Sequence, residues 1–324
     1  MADSSTMNEI YHQGADGSLV VLRASGADAF EFLQRMFSCD LRKTTSDRGI
    51  RGTLLDGKGR ILSVFDLYRG DQDILMVTSG IEVDVLQSRL EAMIILEDVS
   101  LSRDQLRIAH IFGEGASTAI HSWGWDVPSE FLAVESGDDG ELVFRPRCHP
   151  LGFDLIYPES EHDDMLRKVN EISKEATKEQ VEKGRILLGV PKSGNEILER
   201  TLPPEVGLGD AVAYDKGCYA GQEVLARIRT YGHVNRELRA IKLEANSQDA
   251  LGKMSEEPKV GDPLFSPEKP EKAAATITSV VRVEDTWSAI ISVKYKLLEE
   301  GMTLAWDPDS ENMLRGSLEP IFCS

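Results

Sequence analysis

The stretch VAYDKGCYAGQEVLAR, Val212–Arg227, decides how the rest of the chain is read. At its centre, KGCYAGQE (Lys216–Glu223) sets Cys218 directly after one glycine and three residues before another. A cysteine buried at random behaves as a small hydrophobe. Here Gly217 and Gly221 permit backbone angles and close approaches that a packed strand has no use for. Lys216 is placed to lower the thiol pKa if its ammonium lies beside the sulphur. Gln222 and Glu223 add a hydrogen-bonding pair that fixes the loop. The expectation is an exposed, functional thiol.

Few other features compete with it. The chain has 324 residues, 41% of them apolar, enough for two or three domains with proper cores. No apolar run reaches the roughly 20 residues of a membrane span. The opening MADSSTMNEIYHQ lacks the basic and apolar regions of a secretory signal. Cys39, Cys148, Cys218 and Cys323 are far apart and form no CxxC pair, so neither a disulfide framework nor a structural zinc site is expected. These readings point to the cytoplasm and to no membrane partner. A net charge of −19 argues against nucleic acid as a broad-surface partner. Between Lys216 and Lys242 the balance reverses locally, with Lys216, Arg227, Arg229, Arg236, Arg239 and Lys242 against Glu223 and Glu237. That segment reads either as a solvated basic strand pair or as a pocket for a small anion. GEGAST (Gly113–Thr118) lacks the third glycine of a dinucleotide site, and no GxSxG or HExxH occurs.

Secondary-structure signals alternate without a βαβ period. SLVVLR from Ser18 reads as a strand, and Ser25 with Asp28 reads as the cap of a helix carrying Phe30, Leu33 and Phe37. Asp56-Gly57-Lys58-Gly59 is a hairpin signal between GTLLD and RILSVFDLYR. DILMVTS, LRIAHIFG, ELVFRP and GFDLIYP read as strands, and Val83, Leu86, Leu90 and Met93 mark a helix. A polar helical stretch runs from about Glu161 to Leu188. The tract Ala245–Lys272 is rich in Pro, Ser, Glu and Lys and reads as a linker or long loop before a β-rich C-terminus. The fold class expected is α+β.

The signature K-G-C-Y-x-G-Q-E resembles that of the YgfZ-type folate-binding proteins, relatives of the glycine-cleavage T-protein (aminomethyltransferase). DAFEFLQRMFSCDL, LLDGKGRILSVFDLY, GRILLGVPKSGNEI with PPE, and GDPLFSP with ITSVV fall in that family's order. The resemblance implies a three-part ring of two α+β, ferredoxin-like lobes in residues 1–240 and a small β-barrel in 241–324. It implies a tetrahydrofolate site, with Lys216, Tyr219, Gln222, Glu223 and Arg227 as binding residues and Cys218 as the catalytic thiol. It further implies an accessory role toward iron–sulphur proteins or their assembly machinery. The alternative is an aminomethyltransferase-like one-carbon transferase. Against it, the T-protein's paired acidic residues are replaced by Ser63 and Val64, and the glutamate that holds the pterin by Leu187. Asp56 and Asp66 remain as nearby carboxylates; by two-residue alternation Asp66 shares the face of Val64, not of Ser63.

Overall fold

The computed structural model describes residues 9–13, 18–70, 72–79, 82–137, 140–245, 256–298, 302–306 and 314–321. They form two compact units, one of Met1–Lys178 with Asp210–Leu225, the other of Glu179–Gly209 with Ala226–Ser324.

In the first unit the strands are β1 (Tyr11–Gln13), β2 (Leu19–Ser25), β3 (Ile50–Leu55), β4 (Ile61–Arg69), β5 (Asp73–Ser79), β6 (Ser100–Arg103), β7 (Leu106–Phe112), β8 (Val134–Gly137), β9 (Gly140–Phe144), β10 (Gly152–Pro158) and β11 (Lys174–Glu175). Its helices are α1 (Ala29–Met36), α2 (Val83–Glu91), α3 (Ala116–Ser122) and α4 (His162–Ile172). Two sheets result, ordered β3-β4-β5-β2-β6 and β11-β1-β7-β10-β9-β8. The hairpin expected around Asp56-Gly57-Lys58-Gly59 is β3–β4, in antiparallel register.

Alternation along β4 sends its residues to two cores. Phe65 and Leu67 pack with Phe32, Leu33 and Phe37 of the α1 segment and with Leu86 and Leu90 of α2. The Phe37 and Phe65 rings lie 4.3 Å apart, centroid to centroid. Tyr68, on the other face, joins Val21, Leu75 and Val77 in a layer against Ile108, Val143 and Ile156 of the second sheet. Burying one such aliphatic side chain contributes about 1.5–3 kcal/mol, so each of these layers stabilises the unit substantially.

Two local expectations differ from the structure. Ser25 closes β2 and does not cap α1; the helix starts at Ala29 behind Asp28, whose carboxylate accepts from the Asp98 amide instead. The cause is Gly26, at φ +114°, where an added Cβ would lie 2.1 Å from the Asp98 carbonyl. The chain turns tightly there before it can enter a helix. The helical stretch 161–188 is also interrupted, because β11 pairs parallel with β1 between α4 and α5 (Lys178–Leu188).

The second unit carries most of α5, most of α6 (Gln222–Tyr231), and the strands β12 (Arg236–Ala245), β13 (Pro263–Ser266), β14 (Lys269–Val283), β15 (Thr286–Lys294), β16 (Thr303–Trp306) and β17 (Leu314–Glu319). The strands close into a barrel ordered β12-β15-β14-β13-β16-β17 around Ile241, Leu264, Ile277, Trp287, Ile291 and Leu304. The C-terminal part of the tract read as a linker, from Pro263 on, is barrel. Residues 246–255 lie outside the described residues, but Pro263 opens β13, and Ser266 faces Lys269 across a two-residue hairpin turn. Proline at the first residue of a strand forfeits no ladder bond, which is why composition alone misled here. Beside the barrel, Arg185 of α5 donates to Ser279 (2.7 Å) and to Glu196 (3.2 Å), and Ser279 donates to Glu196 (2.6 Å).

Candidate functional site: the cysteine loop

Residues 211–221 lie against the turn that follows α1. Ser38 donates to the Ala211 carbonyl (2.6 Å), shares a 2.7 Å hydroxyl contact with Thr53, and accepts the Ala213 amide at its carbonyl (2.8 Å). Lys216 is the main anchor. Its ammonium is buried and donates to the carbonyls of Phe37 (2.8 Å) and Cys39 (2.6 Å). Burial lowers its pKa to about 8, with the neighbouring Asp40 carboxylate among the groups opposing the shift. Nζ also lies 5.3 Å from the centre of the Tyr219 ring. Tyr219 is buried too, donating to the Ala213 carbonyl (2.9 Å), and burial pushes its phenol well above the usual range.

Gly221 explains the second glycine of the signature. It sits at φ +81°, and an added Cβ would lie 2.5 Å from Gly59 Cα, 2.6 Å from Gly59 N and 2.7 Å from the Asp56 carbonyl. Gly59 itself is at φ +76°. The cysteine loop and the β3–β4 turn thus touch backbone to backbone, which only glycine allows. Gly217 is different: an added Cβ there would meet nothing within 4 Å.

Cys218, between these anchors, is exposed. Cys39 is buried, and burial pushes its thiol up to about 12. Cys148 is likewise buried and pushed up to about 12. A thiol at such a value is protonated and inert at neutral pH. Gln222 reaches back to the Lys216 carbonyl (3.4 Å), while Glu223 and Arg227 are exposed on α6. The structure therefore divides the sequence-derived residues. Lys216 and Tyr219 spend their polar groups inside the protein, whereas Cys218, Glu223 and Arg227 face solvent. The local basic excess also thins out, since Arg239 pairs with Glu237 (2.5 Å) and Lys242 with Glu244 (2.7 Å).

The two carboxylates near the hairpin are both engaged. Asp56 accepts from the Lys58 and Arg60 amides (2.8 and 3.0 Å) and from the Arg60 guanidinium (2.6 Å), closing its own turn. Asp66 is buried in a network that composition gave no sign of. It accepts from Arg51 (2.9 Å) and Arg145 (2.5 Å), while Asp154 accepts from Arg147 (2.5 Å) and pairs with His110 (2.9 Å). Burial alone would raise both carboxyls, but the guanidiniums beside them hold both well below the usual carboxylate range. Ser63, where the T-protein signature has its first acidic residue, is buried, with an Oγ that meets no hydrogen-bond partner. Leu187 is half exposed on α5.

No protein-family model matches the chain. Curated relatives do. The tRNA-modifying protein YgfZ of Escherichia coli O45:K1 (strain S88) is 24% identical over 270 residues, covering 81% of this chain and 78% of that protein. Its counterpart from Shigella dysenteriae serotype 1 (strain Sd197) matches to the same extent. Among solved structures, the glycine cleavage system aminomethyltransferase T of Bartonella henselae superposes with a TM-score of 0.80 at 16% identity, covering 97% of this chain and 86% of that one. The chain is thus similar in sequence to the YgfZ proteins and shares the fold of the aminomethyltransferase T structure.

Proposed function

We propose that this protein binds a reduced folate such as tetrahydrofolate, and that it serves as an accessory to iron–sulphur enzymes through Cys218. The observation that carries the reading is the construction of the loop. Lys216, Tyr219 and Gly221 are all committed to holding it, yet Cys218 is left exposed on it. A thiol needed only for packing would not require such a frame. Arg227 is assigned to the carboxylates of the folate tail through charge-assisted hydrogen bonds, and Glu223 and Gln222 to the neighbouring polar groups. Lys216 and Tyr219 act by shaping the loop. Leu187 removes the carboxylate contact to the pterin, so the tail supplies the larger share of affinity.

One-carbon transfer is the weaker reading. It requires a carboxylate at the reacting centre, and Ser63 has none. Asp66 is locked between two guanidiniums and Asp56 is consumed by its turn, so neither stands ready to take up a proton. The relatives are named for tRNA modification. That name fits an accessory whose client enzymes act on tRNA, and it does not require the folate site to touch RNA. The test is complementation of cells lacking the endogenous protein. Cys218→Ala is expected to fold, to bind tetrahydrofolate with unchanged affinity, and to fail to restore iron–sulphur enzyme activity. Full restoration would overturn the role of the thiol.

A further inference from the structure

We infer that the second unit carries a contact site for single-stranded nucleic acid, built from the end of α6 and the start of β12 together with the chain leaving β15. Three observations converge on it. The first is aromatic. Tyr231, the last residue of α6, is 87% exposed. Two residues later, exposed His233 stacks on Tyr295, centroids 4.3 Å apart and planes inclined by 22°. Two residues of extended chain span at most about 7 Å, so the tyrosine and the stacked pair are neighbours on the surface. A lone exposed aromatic is unremarkable, but an exposed ring beside an exposed stacked pair presents more than one aromatic ring to solvent.

The second observation is charge. From Ala226 to Arg236 and from Lys294 to Leu298 the chain has no Asp or Glu, although its overall charge is −19. Arg227, Arg229, Arg236 and Lys296 are exposed there. Arg227 stands one helical turn before Tyr231, on the same face of α6. Lys296 adjoins Tyr295. Glu223 stands one helical turn before Arg227 on α6, and two other acids nearby are engaged. Glu237 pairs with Arg239, and Glu205, close enough to act on Arg236, is half-buried and accepts the Leu202 amide. Glu299 and Glu300 follow in sequence, outside the described residues.

The third observation is rigidity. Arg236 and Lys294 are directly opposed in the β12–β15 ladder, the Tyr295 amide donates to the Asn235 carbonyl (2.9 Å), and Val234 is buried beneath. The two segments are thus held together by backbone pairing before any ligand arrives.

Cations alone would fit an acidic peptide. Aromatic faces interleaved with cations favour a strand with both phosphates and bases, because every base can stack whatever its identity. The rest of the molecule's negative charge does not veto this, since fields beyond about 8 Å are largely screened at physiological salt. The net charge excludes a broad nucleic-acid surface, not a narrow one.

The test is fluorescence anisotropy of the full chain with labelled single-stranded RNA and DNA 12-mers of mixed sequence. Arg227 is kept intact in every variant, so folate binding stays a separate readout. Saturable binding is expected, weakening about 20-fold between 50 and 200 mM salt if three phosphates are neutralised. Tyr231→Ala is expected to weaken it about 5- to 150-fold, as for the loss of one stacked base. Arg236→Glu with Lys296→Glu is expected to abolish it while the thermal midpoint and tetrahydrofolate affinity stay at wild-type values. A difference between the RNA and DNA oligomers would identify which strand is preferred. Absence of binding at 50 mM salt would overturn the inference. So would equal competition by a poly-glutamate peptide, or charge reversal abolishing binding while Tyr231→Ala leaves it unchanged.

Discussion

Replacing Gly221 by alanine tests most sharply how the cysteine loop is held, because Gly217, four residues away, is a built-in control. At Gly221 the new methyl carbon would sit 2.5–2.7 Å from backbone atoms of Gly59 and Asp56, and backbone cannot swing aside as a side chain can. Holding a non-glycine residue at φ +81° costs about 1–2 kcal/mol. Relieving the overlap costs about 1–3 kcal/mol more. The sum is roughly 2–5 kcal/mol. With a urea m-value of about 2.5 kcal/mol/M, the unfolding midpoint of the unit bearing the loop falls by about 1–2 M. Gly217→Ala meets open space, so its effect stays within about 0.5–1 kcal/mol in either direction. The assay is urea unfolding followed by circular dichroism on both variants and the wild type. Equal midpoints for the two variants would refute the backbone contact between the loop and the β3–β4 turn. Preserved stability with lost complementation in Gly221→Ala would refute the claim that this glycine is structural.

Two further outcomes follow from the buried charges. Lys216 gives up its proton near pH 8 when folded and near 10.5 when unfolded, so between those values the unfolded chain binds the extra proton. The stability of the wild type relative to Lys216→Met should therefore rise from pH 8 toward pH 10, read from paired denaturation curves, and a flat difference would contradict the burial of the ammonium. Asp66→Asn leaves Arg51 and Arg145 facing a neutral amide and should destabilise by about 3–5 kcal/mol. Because folding depresses the carboxyls of Asp66 and Asp154, their contribution is complete above the unfolded carboxylate pKa and is lost as pH falls below about 4. Asp66→Asn should accordingly flatten the acid limb of the stability profile.

Much of the fold was legible because its signals are local. The Asp56-Gly57 hairpin, the strands LRIAHIF and GFDLIYP, and the Val83–Leu90 helix each declare themselves in a few adjacent residues. The barrel hairpin at Ser266–Lys269 did not, because its turn is written in the same Pro-Glu-Lys vocabulary as a linker. Nor did the Asp66–Arg145–Arg147–Asp154 network, whose partners include Asp66 and Arg145, 79 positions apart. Sequence proximity makes Lys216, two residues before Cys218, look like a partner for the thiol. Its ammonium instead points to carbonyls 177 and 179 positions away, a destination that only the tertiary structure sets. The signature was thus legible as a glycine-framed loop, but the split between the residues that hold it and those that face outward was not.

The central claim, a reduced folate held chiefly by its tail, is tested most directly by calorimetric titration of the purified protein with tetrahydrofolate, repeated on Arg227→Ala. Saturable binding, weakened at least tenfold by loss of the guanidinium (about 1.4 kcal/mol or more), is the predicted result. Absence of heat at millimolar ligand would contradict it, and so would equal affinity in the two proteins.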